Sequence, residues 1–137
     1  MKNPHFGSLE NMDNGDSFEI NEAIENLAFN EQGLLPVITQ DATSHKVLML
    51  AWMNKAAITQ TLSTKTMTYW SRTRQQLWVK GETSGHTQTL KKMAFDCDGD
   101  AILCFVHQQG VACHTGRANC FYLEVDSDKN KVYITGH

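Results

Sequence analysis

Apolar and polar residues alternate along this chain in short blocks whose period identifies the elements. Residues 1–17 are polar, rich in Asn and Gly and without period, which predicts a mobile lead-in. Over 18–29 apolar residues recur at helix-like intervals, predicting a short helix. Two extended runs follow at 34–39 and 46–53, and the polar turn 41–45 between them predicts an antiparallel pair. Asn54 reads as the N-cap of a two-turn helix over 55–62, where Ala56, Ala57, Ile58 and Leu62 supply an apolar face. The remaining strand-like runs lie at 67–71, 87–95, 101–107, 120–125 and 132–135, with 126–130 as the last turn. No repeat, low-complexity tract or linker interrupts residues 18–137. They read as a single compact α+β domain, a mostly antiparallel sheet with a few short helices.

Composition agrees with a packed domain and removes several function classes. The chain has 137 residues, 41% of them apolar and 20% charged, enough to bury a real core. Net charge is −3, so nothing suggests an electrostatic grip on duplex DNA or anionic lipid, and any anionic ligand must be met locally. The longest uninterrupted apolar run is Val47–Met53, far below the roughly 20 residues that cross a bilayer. The first twenty residues contain no apolar secretory core, so the expected location is the cytoplasm. In that compartment the four cysteines read as thiols or metal ligands rather than a disulfide framework.

Three clusters carry candidate chemistry. Asp96, Asp98 and Asp100 alternate around Cys97 and Gly99. In an extended backbone the carboxylates would share one face, suiting a hard cation such as Mg²⁺, while a solvated acidic turn is the plainer reading. An EF-hand is excluded, because its glycine and closing glutamate positions fall on Ala101 and His107. Cys97, Cys113 and Cys120 lie sixteen and then seven residues apart, without a finger-type knuckle. Three thiolates would leave the fourth position of a tetrahedral Zn²⁺ open for water, the pattern of catalytic zinc, whereas buried thiols are the alternative. Cys104 lies in an apolar run and reads as core.

The third cluster spans 69–86, where Arg72, Arg74, Lys80, Ser71 and Ser84 are interleaved with Trp70 and Trp78. Cations and hydroxyls suit phosphate, and an indole suits a purine face; the competing reading is a hairpin with solvated cations and core Trp. His114 and Arg117 flank Cys113, and His86 closes the basic segment. Both histidines are candidate proton carriers, and Arg117 joins the candidate phosphate contacts. His5, His45 and His137 lie in polar or terminal stretches and read as uninvolved.

Taken together, YWSRTR (69–74), LWVKGETSGH (77–86), DCDGD (96–100) and CHTGRANCF (113–121), with GLLPVI (33–38) and VLMLAWMN (47–54), resemble the phosphoribosyl-AMP cyclohydrolase family over about residues 30–125. The resemblance implies zinc-dependent hydrolysis of the N1–C6 bond in the adenine ring of 1-(5-phosphoribosyl)-AMP, a step of histidine biosynthesis. By position it implies zinc on Cys97, Cys113 and Cys120 and magnesium on Asp96, Asp98 and Asp100. It also implies a homodimer whose zinc site draws cysteines from both subunits, with a small phosphorylated nucleotide as substrate and neither nucleic acid nor membrane as partner. Asn119 stands where serine is more usual. Two other readings compete. A zinc nucleobase or nucleoside deaminase would need H-x-E and P-C-x-x-C, which are absent. A structural zinc module binding nucleotide or RNA would want a closed metal site and a basic face.

Overall fold

The computed structural model describes residues 4–136. Residues 1–3 of the expected lead-in, and His137 at the end of the expected domain, lie outside the described residues. Two strands, β1 (Leu35–Asp41) and β2 (Val47–Met53), pair antiparallel as expected, Leu35 opposite Met53. The helix α3 (Lys55–Thr64) follows at once. Its cap is the expected one, the Asn54 side-chain oxygen accepting from the Ala57 N–H at 2.8 Å. Two short helices, α1 (Pro4–Ser8) and α2 (Ile20–Glu25), precede the strands.

Beyond α3 the chain forms β3 (Thr68–Ser71), β4 (Gln76–Val79), β5 (Gln88–Phe95), β6 (Ile102–Gln108), β7 (Leu123–Asp126) and β8 (Lys131–Ile134). The main sheet runs β2-β1-β6-β5, while β3–β4 and β7–β8 are separate hairpins. Among the described residues all strand pairings are antiparallel except one: β1 lies parallel to β6, Val37 beside Ile102. Alternation then decides the core. Leu35 and Val37 of β1 and Ile102, Cys104 and Val106 of β6 point inward against Ile58 of α3 and Tyr69 of β3. Each such side chain contributes about 1.5–3 kcal/mol on leaving water.

The expectation of an unstructured lead-in is corrected here. Residues 4–8 form a helical turn, and Phe6 is buried with the core cluster and lies against Gly99. A single phenylalanine in a polar stretch has no period to betray it, yet burying its ring favours the turn by about 1.5–3 kcal/mol. The helix expected over 18–29 is confined to six residues, of which Ala23 and Ile24 are buried. Among the described residues, no helix is long and apolar enough to cross a membrane.

Candidate active site

The two parts of the expected chemistry occupy opposite ends of β6, whose seven residues span about 23 Å. At its start, the segment 96–101 is a turn, the plainer of the two readings, and not the extended backbone on which the three carboxylates would share a face. The Gly99 N–H donates to the Asp96 carbonyl and the Asp100 N–H to the Asp96 carboxylate at 2.9 Å. Gly99 adopts a left-handed φ of 68°, and a Cβ there would come within 2.4 Å of the Phe6 ring, so only glycine fits both the bend and the contact. The Gly99 carbonyl in turn accepts from the Ala28 N–H at 2.8 Å. The loop is thus held by α1 on one side and the segment after α2 on the other.

Within this turn Asp100 is pushed above the usual carboxylate range, chiefly because its carboxyl donates to Asp96, with burial and the Asp96 and Asp98 charges adding to the effect. Burial opposes ionisation of Asp96, but hydrogen bonds from the Asp100 side chain and from nearby backbone N–H groups outweigh it and hold Asp96 low. The two carboxyls are therefore pushed apart, Asp96 the easier and Asp100 the harder to ionise. Cys97 is exposed on the same turn.

Beyond the other end of β6, a cleft of about 450 Å³ opens between the 80–86 loop and the segment 111–116. Cys113 lines it, and Cys120 lies beside Cys113. The Cys113 carbonyl accepts from the Gly116 N–H and the Cys113 N–H donates to the Arg117 carbonyl, closing a tight loop; the Cys120 N–H donates to the Leu48 carbonyl and ties the loop to β2. Burial raises the Cys113 thiol, but hydrogen bonds from the Thr115 hydroxyl at 3.0 Å, the Thr115 N–H and Cys120, with the Arg117 charge, bring it below the ordinary thiol value. Desolvation and the neighbouring Cys113 push Cys120 up to about 11. The two neighbouring thiols are thus shifted in opposite directions, Cys113 the easier to ionise, and a metal bound there would displace their protons.

Lys80 is the counter-charge. It is 8% exposed, and its ammonium donates to the Ala112 carbonyl at 2.6 Å and lies 5.4 Å from the Trp78 ring centroid. Burial lowers its pKa while Cys120 and Cys113 pull it back up. This places Lys80 against the thiols, at the root of the cleft rather than at its rim. His86, Ser84, Arg74 and His114 line the same cleft. The His86 ring packs on Gly110, where a Cβ would come within 2.5 Å of it. The Ser84 hydroxyl accepts from the His86 N–H, and the Arg117 guanidinium lies 4.3 Å from the Tyr122 ring.

Trp70, Arg72 and Ser71 are not gathered there. Strand alternation turns Trp70 and Arg72 to the other face of the hairpin, and the Ser71 oxygen accepts from the Arg74 N–H in the β3–β4 turn. Cys104 is fully buried, its thiol pushed up to about 12 by desolvation, and belongs to the core as expected. Among the described residues of one chain, no three His, Cys, Asp or Glu side chains converge well enough to hold a metal. The donor chemistry still fits: two adjacent sulfurs for a soft ion at one end, carboxylates for a hard one at the other. Sequence reasoning missed the Ala112 carbonyl, which no side-chain pattern announces, and the Thr115 hydroxyl, whose place two residues after Cys113 was the available signal.

Residues 49–122 match the family model for phosphoribosyl-AMP cyclohydrolase. Proteins of that name from Hydrogenovibrio crunogenus and Alcanivorax borkumensis are 49% and 51% identical over 127 and 123 residues, covering 93% and 90% of this chain and 86% and 87% of theirs. One from Roseobacter denitrificans is 58% identical over 111 residues, 81% of this chain and 87% of its own. The matched region spans both the acidic turn and the thiol loop, and on these grounds the chain belongs to the phosphoribosyl-AMP cyclohydrolase family.

Proposed function

We propose that this chain opens the adenine ring of 1-(5-phosphoribosyl)-AMP by hydrolysis at N1–C6, in the histidine pathway of the cytoplasm. The working unit is a homodimer whose zinc is held by Cys113 and Cys120 of one subunit and Cys97 of the other. The observation that carries this reading is the Cys113–Cys120 pair, Cys113 lining the cleft and Cys120 beside it, with buried Lys80 against both, in a member of this family. Two features support a second copy. Cys97 lies across the length of β6 from the other thiols, and β7–β8 leaves Val125, Val132 and Ile134 exposed by 76%, 59% and 66% within one chain.

Zinc bound by three thiolates supplies a Lewis acid that turns water into a nucleophile at neutral pH. The chain's own residues do the remainder. Lys80 offsets the negative charge that a thiolate set places in a buried position. His114, exposed on the cleft wall, moves a proton to or from the ring nitrogen as C6 becomes tetrahedral, with His86 across the cleft as the alternative carrier. Arg74, Ser84 and Arg117 offer donors to the ribosyl phosphate. Asp96, Asp98 and Asp100 are the magnesium ligands, and a divalent cation would relieve the mutual repulsion of their charges.

The test is ring opening of phosphoribosyl-AMP, followed by ultraviolet absorbance, before and after chelation and after zinc is restored. Turnover that disappears and returns with zinc supports the reading; a zinc-loaded protein that leaves the ring closed refutes it. Replacing His114 by Ala should lower kcat by roughly 10²–10⁴-fold while zinc content stays the same.

A further inference from the structure

A chain of polar side chains crosses the core and ends at the wall of the thiol cleft. Thr39 of β1, Tyr69 of β3 and Gln88 of β5 are all fully buried, and Gln108 stands opposite Gln88 in the β5–β6 register, on the same face. The Thr39 and Tyr69 hydroxyl oxygens lie 2.7 Å apart, the Tyr69 hydroxyl donates to the Gln88 side-chain oxygen at 2.6 Å, and the Gln88 NH₂ group donates to the Gln108 side-chain oxygen at 2.8 Å. Burial pushes the Tyr69 phenol above its ordinary pKa, so it keeps its one hydrogen; that hydrogen goes to Gln88, and Thr39 must donate to Tyr69. The other NH₂ hydrogen of Gln88 meets the Met49 sulfur at 3.4 Å. Gln108 closes the chain: its NH₂ group donates to the Gln109 carbonyl at 3.0 Å and reaches the His86 and Thr87 carbonyls at 3.5 Å.

Stability does not call for this chain, since apolar side chains of like shape could fill the same space at little cost. What the polar groups add is direction: each link accepts on one side and donates on the other, so one arrangement satisfies them all. That arrangement is aimed at the backbone that carries His86. The Gln109 N–H donates to the Thr87 carbonyl at 2.9 Å, which clamps 86–87 beside 109–110, and the His86 ring lies on Gly110. On the other side Gly81 abuts the same backbone, where a Cβ would come within 2.5 Å of the His86 carbonyl oxygen. The imidazole so held lines the cleft together with Cys113. We propose that Gln88 and Gln108 are positioning residues for His86, fixing through its backbone where the imidazole stands in the cleft. That His86 meets the substrate rests on the function proposed above; the placement of its ring does not.

Gln108→Met removes the last link at similar volume. In the zinc-loaded protein the ring C–H signals of His86 in nuclear magnetic resonance spectra, identified by their loss in His86→Ala, should shift in this variant while those of His114 stay. The kcat should fall about tenfold, as slight misplacement at a reacting centre does, with zinc content unchanged. In a His86→Ala background the same substitution should cost nothing further, because it acts only through the imidazole. If Gln108→Met fails to fold by circular dichroism, Tyr69→Phe takes its place: it keeps the ring, breaks the chain nearer its start, and should shift the same signals. His86 signals that stay put, signals of all the histidines moving together, an unchanged kcat in an active protein, or a loss of turnover as large without His86 as with it overturn the proposal. Because the signals are read without turnover, a protein that failed to open the ring would still decide where the chain of hydrogen bonds places His86.

Discussion

The acidic turn before β6 and the thiol loop beyond it solve the same problem, crowded negative charge, in different ways. The turn contains its own remedy: Asp96 accepts hydrogen bonds from the Asp100 carboxyl and several backbone N–H groups, and Phe6 and Ala28 brace the bend from outside. The loop borrows its remedy from a distance, taking a buried ammonium from Lys80, thirty-three positions before Cys113 in the chain. The difference teaches which end is self-sufficient. The acidic end has its full set of side chains within five residues, whereas the thiol end has two sulfurs where an open tetrahedral zinc site takes three. On the proposed reading the third sulfur is Cys97, in the turn before the far end of β6, which a second chain would deliver.

The contrast can be broken most severely at the thiols. Cys113→Ser should remove zinc and lower turnover by about 10³-fold or more, because the nucleophile depends on the metal; metal analysis alongside kinetics checks both. At the acidic end, Gly99→Ala forces a left-handed residue and a Cβ into the Phe6 ring, and should cost about 2 kcal/mol or more of stability in thermal unfolding. Lys80→Met is milder and its sign is specific. The ammonium favours the ionised form of Cys120, so without it the thiol needs a higher pH to ionise and the midpoint of zinc uptake should move upward. An unchanged midpoint would show that the loop does not depend on Lys80. Asn119→Ser should change stability by less than about 0.5 kcal/mol, since a serine oxygen can also accept the Phe121 N–H that Asn119 now accepts at 2.8 Å.

Much of this division was legible from local pattern. The β1–β2 pair, the Asn54 cap, the β7–β8 turn and the apolar setting of Cys104 all follow from periodicity and turn chemistry, which act over a few residues. The parallel contact of β1 with β6 joins segments some sixty residues apart, and no local period encodes a partner at that range. The same limit hid Phe6 against Gly99. The basic segment divides for another reason. Trp70, Arg72 and Lys80 are near in sequence, but the hairpin register sends the first two to one face and Lys80 to the other. On an extended backbone alternation would put the acidic triplet on one face; Gly99 bends it into the turn that was the plainer reading, where alternation does not apply.

The claim that the zinc site is shared between chains is open to one direct measurement. Chains carrying Cys97→Ser are unfolded and refolded together with chains carrying Cys113→Ser, each inactive alone, and turnover is assayed with zinc present. Random pairing gives half mixed dimers, each with one site whose thiols are all intact, so activity should return to about a quarter of the unmodified protein. A mixture as inactive as its two components would contradict the shared site and return all three cysteines to a single chain.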